Sequence, residues 1–406
     1  MNDVPESIHP RTTGTTKRND VMTIARAEFE DRTNRLRTKM KNAGLDAMVV
    51  FSDEYRSGHS TYLTGYKPIN QIEESPQLVV LVGDEPPVVL IGRLNAYAAK
   101  DIIWCEDVRP VHRAEEFIPQ IVRSIAGRES RVGLVGDNLL PVSMFEVIRK
   151  ALPKASFTSV TQLLIDLRQI KTPAEVALLE RAADVNDAVL EGVIAKIRPG
   201  MTEIQVAGVA EAIARDMNAG LGSATLVLSG MNTIYPAWWP TERKIERGDF
   251  VMLDFNPCVG NYANDGGTTI LMPGGSDEQK QALRLAHRIL KEVIPQIRPH
   301  TPARSVHDMM LERLAPHGFV KNFAPYAKGL RGVGHGVGID VVEPPNLSSD
   351  SDFTLEEGMT LAIKFDLHGL PTGGLRAESV VLITETGTRP LNKLILDKPE
   401  DFSILE

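Results

Sequence analysis

The sequence predicts a two-domain α/β protein, and three observations support this fold class. The chain has 406 residues, more than the roughly 250–300 residues that one hydrophobic core usually organises. Apolar residues make up 42% of it, which is enough for two cores. Short β-rich segments alternate with segments of helical periodicity in both halves. We predict a flexible tail over residues 1–22, one domain over 23–165 and a second over 166–406.

The N-terminal domain begins with an amphipathic helix. Apolar residues recur at helical spacing between Thr23 and Ala43, and Gly44 ends the helix. The β-rich and helical segments that follow alternate, as is typical of an α/β domain. The predicted strands lie at 47–51, 78–82, 88–91 and 132–135, and the predicted helices at 117–125 and 141–152.

Two capping signals open the helices of the second domain. Thr172 and Glu175 flank Pro173 in a capping-box pattern, which predicts the start of a long helix. Thr202 with Gln205 predicts another helix, running to about residue 217. The strands that follow are predicted at 250–254, 267–271, 359–364 and 379–384, with helices at 277–297 and 305–315.

Composition restricts the possible partners and the compartment. The net charge is −8 and the sequence pI is about 5.7, which argues against binding to nucleic acid through phosphates. Apolar runs are far shorter than the roughly 18 residues of a membrane span, and the first residues lack the apolar segment of a signal peptide. Cys105 and Cys258 have no disulfide or metal-binding spacing. We therefore expect a cytoplasmic protein that binds a small polar substrate, and neither nucleic acid nor a membrane.

Asp254 and Asp265 lie eleven residues apart, one at the end of a predicted strand and one just before the next. A hairpin could bring the two carboxylates together. Adjacent buried carboxylates repel each other, so they need a divalent cation, a shared proton or an ammonium partner. The alternative is a pair of solvent-exposed aspartates that flank a turn.

Two further segments carry polar residues in an informative context. His335 stands between Gly334 and Gly336, and glycines let a backbone approach a ligand closely. This pattern favours a site histidine, with a structural histidine as the alternative. Arg376 and Glu378 begin a predicted strand; the alternative for them is an exposed ion pair of little energetic weight.

Together, and in this order, these segments resemble the family that contains creatinase, prolidase, aminopeptidase P and methionine aminopeptidase. The resemblance is close from about residue 165 to 395 and loose in the N-terminal half. It implies a creatinase-like N-terminal α/β domain and a C-terminal catalytic domain of the pita-bread, M24-like fold. The motifs that carry it are LRQIKTPAE (167–175), SGMNT (229–233), RGD (247–249), GHG (334–336), GM (358–359) and, less specifically, YLTGY (62–66).

The sequence departs from the metallopeptidases of that family at the metal site. In those enzymes two Asp, one His and two Glu hold two metal ions that activate a water molecule. Four of the five positions match here, but Lys364 stands where the first Glu belongs, and a protonated lysine cannot ligate a metal. Two histidines that serve substrate binding in the peptidases correspond to Ala237 and Val342. The matching positions are Asp254, Asp265, His335 and Glu378.

These departures make the chain most similar to the metal-free creatinase and ectoine hydrolase branches. We therefore expect a hydrolase of a small non-peptide C–N bond, such as an amide, amidine or cyclic amidine, without a cofactor or metal and without ordinary peptidase activity. Asp254, Asp265 and Glu378 would supply the acid and base groups. His335 would orient or polarise the substrate, and Lys364 would replace a metal ion.

Two other functions remain open. The first is a metal-dependent Xaa-Pro peptidase-like hydrolase or lyase with a reduced site, in which one divalent ion binds Asp254, Asp265 and Glu378. The second is a binding module without catalysis, because some members of the fold have lost their activity.

Substrate contacts and a partner subunit are the last expectations. Trp238 and Trp239 could stack on a flat or cationic substrate, or they could be core aromatics. The resemblance implies a homodimer in which the N-terminal domain of one protomer completes the site of its partner. The other candidate substrate contacts are Tyr326, Arg376 and Tyr66, and the candidate contributors to the partner site are Tyr66, Gln71, Glu73 and Arg93.

Overall fold

A computed structural model describes residues 24–68, 74–323 and 332–406. The tail predicted over residues 1–22 lies outside these ranges. The α-helices are α1 (Arg26–Asn42), α2 (Gly58–Thr64), α3 (Asn95–Ile102), α4 (Ala114–Ile121), α5 (Val142–Ala151), α6 (Thr161–Gln169), α7 (Pro173–Lys196), α8 (Glu203–Asp216), α9 (Asp277–Val293), α10 (Ala303–Leu314) and α11 (Leu394–Asp397).

The strands alternate with these helices in the N-terminal half and dominate the C-terminal half. They are β1 (Ala47–Ser52), β2 (Gln77–Val82), β3 (Val88–Ile91), β4 (Asp107–Pro110), β5 (Ser130–Val135), β6 (Ala155–Ser159), β7 (Gly220–Leu221), β8 (Leu226–Ser229), β9 (Phe250–Phe255), β10 (Pro257–Val259), β11 (Tyr262–Ala263), β12 (Gly266–Leu271), β13 (Gly334–Gly336), β14 (Glu343–Leu347), β15 (Thr360–Leu370), β16 (Gly373–Thr384) and β17 (Gly387–Pro390).

The N-terminal domain is built on a six-stranded mixed sheet in the order β4-β3-β2-β1-β5-β6. Its central strand β1 pairs antiparallel with β2 and parallel with β5. Both faces of β1 and β2 are buried, which explains why these strands read as continuous apolar runs rather than as alternating ones. The four strands predicted in this half are therefore confirmed, as is the α/β class.

The C-terminal domain is built on a larger sheet in the order β14-β13-β15-β16-β12-β9-β8, with β17 paired to β16. Helices cover both faces of it. Successive strand residues point to opposite faces: Ile363 packs into the core formed with α9 and α10, whereas Ala362 and Val380 pack into the core formed with α7 and α8. By the same alternation Lys364 and Glu378 belong to the second face, and that face carries the site.

Local capping chemistry sets the starts of the long helices. The side chain of Thr172 accepts a hydrogen bond from the backbone of Glu175, and the Glu175 carboxylate accepts one from the backbone of Thr172. The same reciprocal pair joins Thr202 and Gln205 at the start of α8. Both predicted capping boxes are confirmed, and each contributes about 1 kcal/mol to its helix.

Several boundaries differ from the predicted ones. The helix predicted at 117–125 is α4, which ends at Ile121, and the expected domain boundary at 165/166 falls inside α6. The strands predicted at 359–364 and 379–384 are parts of one long hairpin, β15–β16. The part of this hairpin nearest its turn carries buried charged residues. In the sequence, such a charged segment looks like a loop.

The two domains meet through buried charges. Arg32 of α1 is fully buried; it donates to the hydroxyl of Tyr262 in β11 and lies 3.6 Å from the carboxylate of Glu175 in α7. Arg168 of α6 binds the carboxylates of Asp340 and Glu343. In the described ranges we find no helix with the length and apolarity that a bilayer span requires.

Candidate metal centre

The two aspartates predicted to form a pair lie side by side. Asp254 lies in β9 and Asp265 immediately precedes β12, and these strands are antiparallel neighbours. Asn256 joins the two carboxylates, because its Nδ2 donates to Asp265 Oδ1 at 2.6 Å and to Asp254 Oδ1 at 3.2 Å. Both aspartates are buried. The alternative of two solvent-exposed aspartates is therefore excluded.

His335 lies in β13 with its ring almost fully buried. Its Nδ1 donates to the carbonyl oxygen of Gly336 at 3.1 Å, which fixes the proton on Nδ1 in the neutral ring. Its Nε2 faces Asp265 Oδ2 at 3.1 Å and Glu378 Oε1 at 3.9 Å. The Nε2 lone pair thus points at two carboxylates, and these three electron-rich groups repel one another. A cation between them would remove the repulsion. A histidine that ligates a metal is commonly oriented by such a backbone bond.

Gly334, which precedes His335, allows two strands of the sheet to pack closely. A Cβ on Gly334 would collide with the carbonyl oxygen of Ala362 in β15. We predicted that the glycines allow close approach of a ligand, and the structure instead places a neighbouring backbone there. The Gly-His-Gly segment is a strand of the large sheet.

Glu378 lies in β16, opposite Gly267 of β12 and Lys364 of β15. It is 2% exposed, and neither of its carboxylate oxygens has a hydrogen-bond partner among the described residues. A buried carboxylate without partners is costly. One ligand atom each from Asp265, His335 and Glu378 lies within 4.8 Å of the others, so these residues could hold a metal ion. We call them the three-donor group.

Burial and mutual repulsion oppose ionisation of this group. Burial is the largest cause that raises the pKa of Asp265 to about 7, and the charge of Asp254 adds to it. Burial likewise raises the pKa of Glu378 to about 8, helped by the charge of Asp265. Lys364 and Arg376 act in the opposite direction on both. A divalent cation would relieve the repulsion and displace the protons.

Lys364 is only 6% exposed, so it does not turn away to solvent. Its charge reaches the site, because it lowers the pKa of both Asp265 and Glu378. Its ammonium makes no ion pair within 4 Å with a carboxylate of the described ranges. Lys364 is therefore buried on the face of the sheet that carries the carboxylates, and it acts on them through space.

Arg376 was predicted to contact the substrate, and the structure gives its guanidinium two protein partners instead. Its Nη1 donates to Asp254 Oδ2 at 2.6 Å, while its Nε and Nη2 bind the two oxygens of Asp366 at 2.9 and 3.1 Å. Burial alone would raise the pKa of Asp366, but Arg376 and His368 outweigh it and hold that pKa well below its ordinary range. The exposed ion pair considered for Arg376 and Glu378 is excluded, since both are buried.

Three of the predicted aromatic contacts lie in the described ranges, and they lie apart from this cluster. Trp238 and Trp239 are 59% and 64% exposed, so the alternative of core aromatics is excluded. Trp238 lies near Tyr235, with ring centroids 6.4 Å apart. Tyr66 is buried in the N-terminal domain, where its hydroxyl donates to Asn95 Oδ1 at 2.7 Å.

One of the remaining candidates lies within the described ranges. Arg93 is exposed, next to α3 of the N-terminal domain. Three candidates lie outside the described residues: Tyr326, Gln71 and Glu73.

A cavity of about 350 Å³ lies between the two domains, beside the centre. The hydroxyl of Ser223 lines it and donates to Asn256 Oδ1, the same amide that joins Asp254 and Asp265. Besides Ser223 and Asp340, the C-terminal domain contributes apolar residues to this cavity, and besides Leu139 the N-terminal domain contributes mainly polar ones. The apolar residues are Ile339, Val341 and Val342, and the polar ones include Arg56, His59 and Lys67.

Two residues of the centre were missed in the sequence. Asn256 stands two positions after Asp254, and Asp366 stands two positions after Lys364. The period of two along a strand places such residues on the same face. This spacing of two residues was the signal available in the sequence. It was hard to recognise because the neighbouring strand residues are mostly apolar.

Comparison with known proteins identifies the two domains. Residues 177–385 match the sequence profile of Metallopeptidase family M24, and residues 32–170 match that of the Creatinase/Prolidase N-terminal domain. An Xaa-Pro dipeptidase of Pyrococcus horikoshii is 25% identical over 359 residues, which cover 87% of this chain and 94% of that protein. An Xaa-Pro dipeptidase of Pyrococcus furiosus is 27% identical over 317 residues, covering 78% and 86%.

Solved structures agree on the fold. The prolidase from Pyrococcus horikoshii OT3 superposes with a TM-score of 0.77 at 24% identity, over 89% of this chain and 98% of that chain. The X-Pro aminopeptidase from Thermotoga maritima superposes with a TM-score of 0.80 at 21% identity, over 92% and 99%. The predicted arrangement of a creatinase-like domain followed by a pita-bread domain is confirmed.

These matches correct three expectations. A metal-free hydrolase of a non-peptide C–N bond, the absence of peptidase activity and the absence of a metal were predicted from the lost ligand at Lys364. These predictions are wrong, because the matching profile is that of a metallopeptidase family, the relatives are named Xaa-Pro dipeptidases, and a three-donor group survives. The profile spans just over half of the sequence, and the chain therefore belongs to metallopeptidase family M24.

Proposed function

We propose that this chain is a metal-dependent hydrolase of short peptides, similar to Xaa-Pro dipeptidases, with one divalent ion held by Asp265, His335 and Glu378. The single observation that carries the proposal is the three-donor group itself. Its three ligand atoms are buried within 4.8 Å of one another, and the Glu378 carboxylate accepts no hydrogen bond from any described residue. A metal ion satisfies all three residues at once.

The donor set fits a transition metal. One imidazole nitrogen and two carboxylate oxygens suit Mn²⁺, Fe²⁺, Co²⁺ or Zn²⁺. Three protein ligands leave positions for water and substrate, which is the usual composition of a catalytic rather than a structural site. When bound, such an ion would polarise the scissile carbonyl and make a water molecule more acidic.

The protein's own residues hold the centre in shape before substrate arrives. The backbone of Gly336 fixes the ring of His335, and Asn256 fixes the spacing of Asp254 and Asp265. Arg376 fixes the other oxygen of Asp254. Because these bonds join residues of the protein to one another, the centre should need little reorganisation during the reaction.

The cavity between the domains suits the rest of a dipeptide. Its volume of about 350 Å³ lies within the range of small-ligand pockets. The apolar residues Ile339, Val341 and Val342 match a proline ring, and the ammonium of Lys67 matches a free carboxylate. Val342 also stands where the family's peptidases carry a substrate-binding histidine, so we expect substrate contacts in this cavity to be mainly apolar.

The test is hydrolysis of a Met-Pro dipeptide by the full chain, with release of proline measured after chelation and after addition of Mn²⁺ or Co²⁺. We expect activity to be lost on chelation and restored by metal. Glu378→Gln removes one ligand and should lower the rate by about a hundredfold or more, since even residues that only support metal ligands cost 10–100-fold.

Glu385→Gln is the matched control, because Glu385 is exposed directly after the same strand. It should keep wild-type activity. Absence of hydrolysis with every metal, or a Glu378→Gln variant as active as the wild type, would contradict the proposal.

A further inference from the structure

Lys364 is a buried cation beside the proposed metal. It stands in the middle of β15, directly opposite Glu378 in the antiparallel register. Directly opposite residues of two antiparallel strands project from the same face. The ammonium and the carboxylate therefore share the face that carries the three-donor group. At 6% exposure, Lys364 is not screened by bulk water.

The neighbouring charged pair on the same hairpin shows a different arrangement. Asp366 and Arg376 are also opposite each other, and they form a closed ion pair with Nε–Oδ1 at 2.9 Å. The remaining donor Nη1 of Arg376 binds Asp254. Arg376 is thus engaged by two carboxylates, whereas the ammonium of Lys364 lies within 4 Å of no carboxylate in the part of the chain that the structure describes.

The formal charges indicate what Lys364 balances. Four buried carboxylates, those of Asp254, Asp265, Asp366 and Glu378, face two cations, Lys364 and Arg376, which leaves a net formal charge of −2 around a neutral His335. One divalent ion neutralises this charge, and a second would give +2 in a buried site. An ammonium also has no lone pair to offer a metal, and at short range it repels a cation strongly.

We propose that the ammonium of Lys364 takes the place of a second cation and so limits this centre to one divalent ion. The inference rests on the proposed function, because it presupposes that the three-donor group binds a metal. Lys364 would then determine how many metal ions the centre binds. Glutamate at this position would change the formal charge by two units and add two ligand oxygens opposite Glu378.

The experiment measures Mn²⁺ per chain in the full-length wild type and in three variants, by elemental analysis after dialysis and by titration calorimetry. Lys364→Glu should bind two ions, and its Mn²⁺ spectrum in electron paramagnetic resonance should show the exchange coupling of two neighbouring ions. The wild type should bind one ion with an uncoupled spectrum. Lys393→Glu makes the same change of charge at an exposed lysine of the same domain, and it should bind one ion.

Lys364→Met keeps the test decisive if the glutamate variant does not fold. It removes the charge without adding a ligand, so it should bind one ion about tenfold more tightly than the wild type. An unchanged Kd in Lys364→Met, or a single ion in a folded Lys364→Glu, overturns the role of Lys364. Two ions in the wild type overturn it as well. A wild type that binds no ion overturns the proposed function instead.

Discussion

The imidazole of His335 sets the direction from which a cation can enter. Its Nδ1 proton is committed to the carbonyl of Gly336, so only Nε2 can serve as a ligand. Asp265 and Glu378 approach that nitrogen at 3.1 and 3.9 Å. The three residues come from three separate segments of the large sheet, and none of them alone would bind a metal well.

The raised pKa values of Asp265 and Glu378 lead to a prediction for metal affinity. Because the metal-free carboxyls titrate near pH 7 and 8, a metal must displace protons from them. Affinity for Mn²⁺ should therefore rise between pH 6 and pH 8.5, with protons released on binding. Calorimetry in two buffers of different ionisation enthalpy measures both quantities. An affinity that does not change with pH would contradict the assignment of these ligands.

The same pKa shifts determine whether the metal-free protein becomes more or less stable as pH rises. Both pKa values are higher in the folded chain than the ordinary values near 4, so the folded state holds more protons than the unfolded one between about pH 4 and 8. The free energy of unfolding should therefore fall as pH rises through that window. Bound metal should abolish this fall in the free energy of unfolding, because the metal takes the place of the protons.

At the scale of elements, the β15–β16 hairpin supports the centre. Arg376 neutralises Asp254 and Asp366, all three being buried. Arg376→Leu removes the cation that pairs with these two buried carboxylates, which should lower the free energy of unfolding by about 3–5 kcal/mol. Urea denaturation of the metal-free protein measures the change.

The neighbouring strand β17 provides the control. Arg389 pairs with Glu180 at the surface, where the two side chains are 47% and 40% exposed. Arg389→Leu should cost less than about 1 kcal/mol. If Arg376→Leu costs no more than Arg389→Leu, the buried charges are not what holds the hairpin.

The sequence predicted the elements whose signals are local. The capping boxes at Thr172 and Thr202 were recognisable because both partners lie within four residues. The full lengths of β15 and β16 were not, because Asp366 and Arg376 resemble exposed loop residues when their partners across the sheet are unknown. Long-range pairing, rather than local preference, makes those polar positions part of a strand.

The residues of the centre could be recognised in the sequence, whereas the metal-free chemistry predicted for them was wrong. Asp254, Asp265, His335, Lys364 and Glu378 were chosen from the sequence, and the structure brings them together on one face of the sheet. Lys364 in place of a ligand favours a metal-free site in the sequence, with a single ion as the alternative, and the comparisons favour the alternative. Whether the remaining donors still converge depends on distances that a sequence does not contain.

At the scale of the whole molecule, buried arginines link the two domains next to the centre. Arg32 reaches from α1 to Tyr262, which lies between the two aspartates in sequence, and Arg168 reaches from α6 to Glu343. The cavity between the domains is lined from both sides. The shape of this cavity therefore depends on one fixed arrangement of the domains.

The most direct test of the central claim is the crystal structure of the full chain grown with Mn²⁺, with anomalous diffraction used to locate the metal. We predict one anomalous peak per chain, coordinated by His335 Nε2 and by the carboxylates of Asp265 and Glu378, with the Lys364 ammonium beside it. Absence of a peak among these residues, or two peaks in the wild type, would contradict the account.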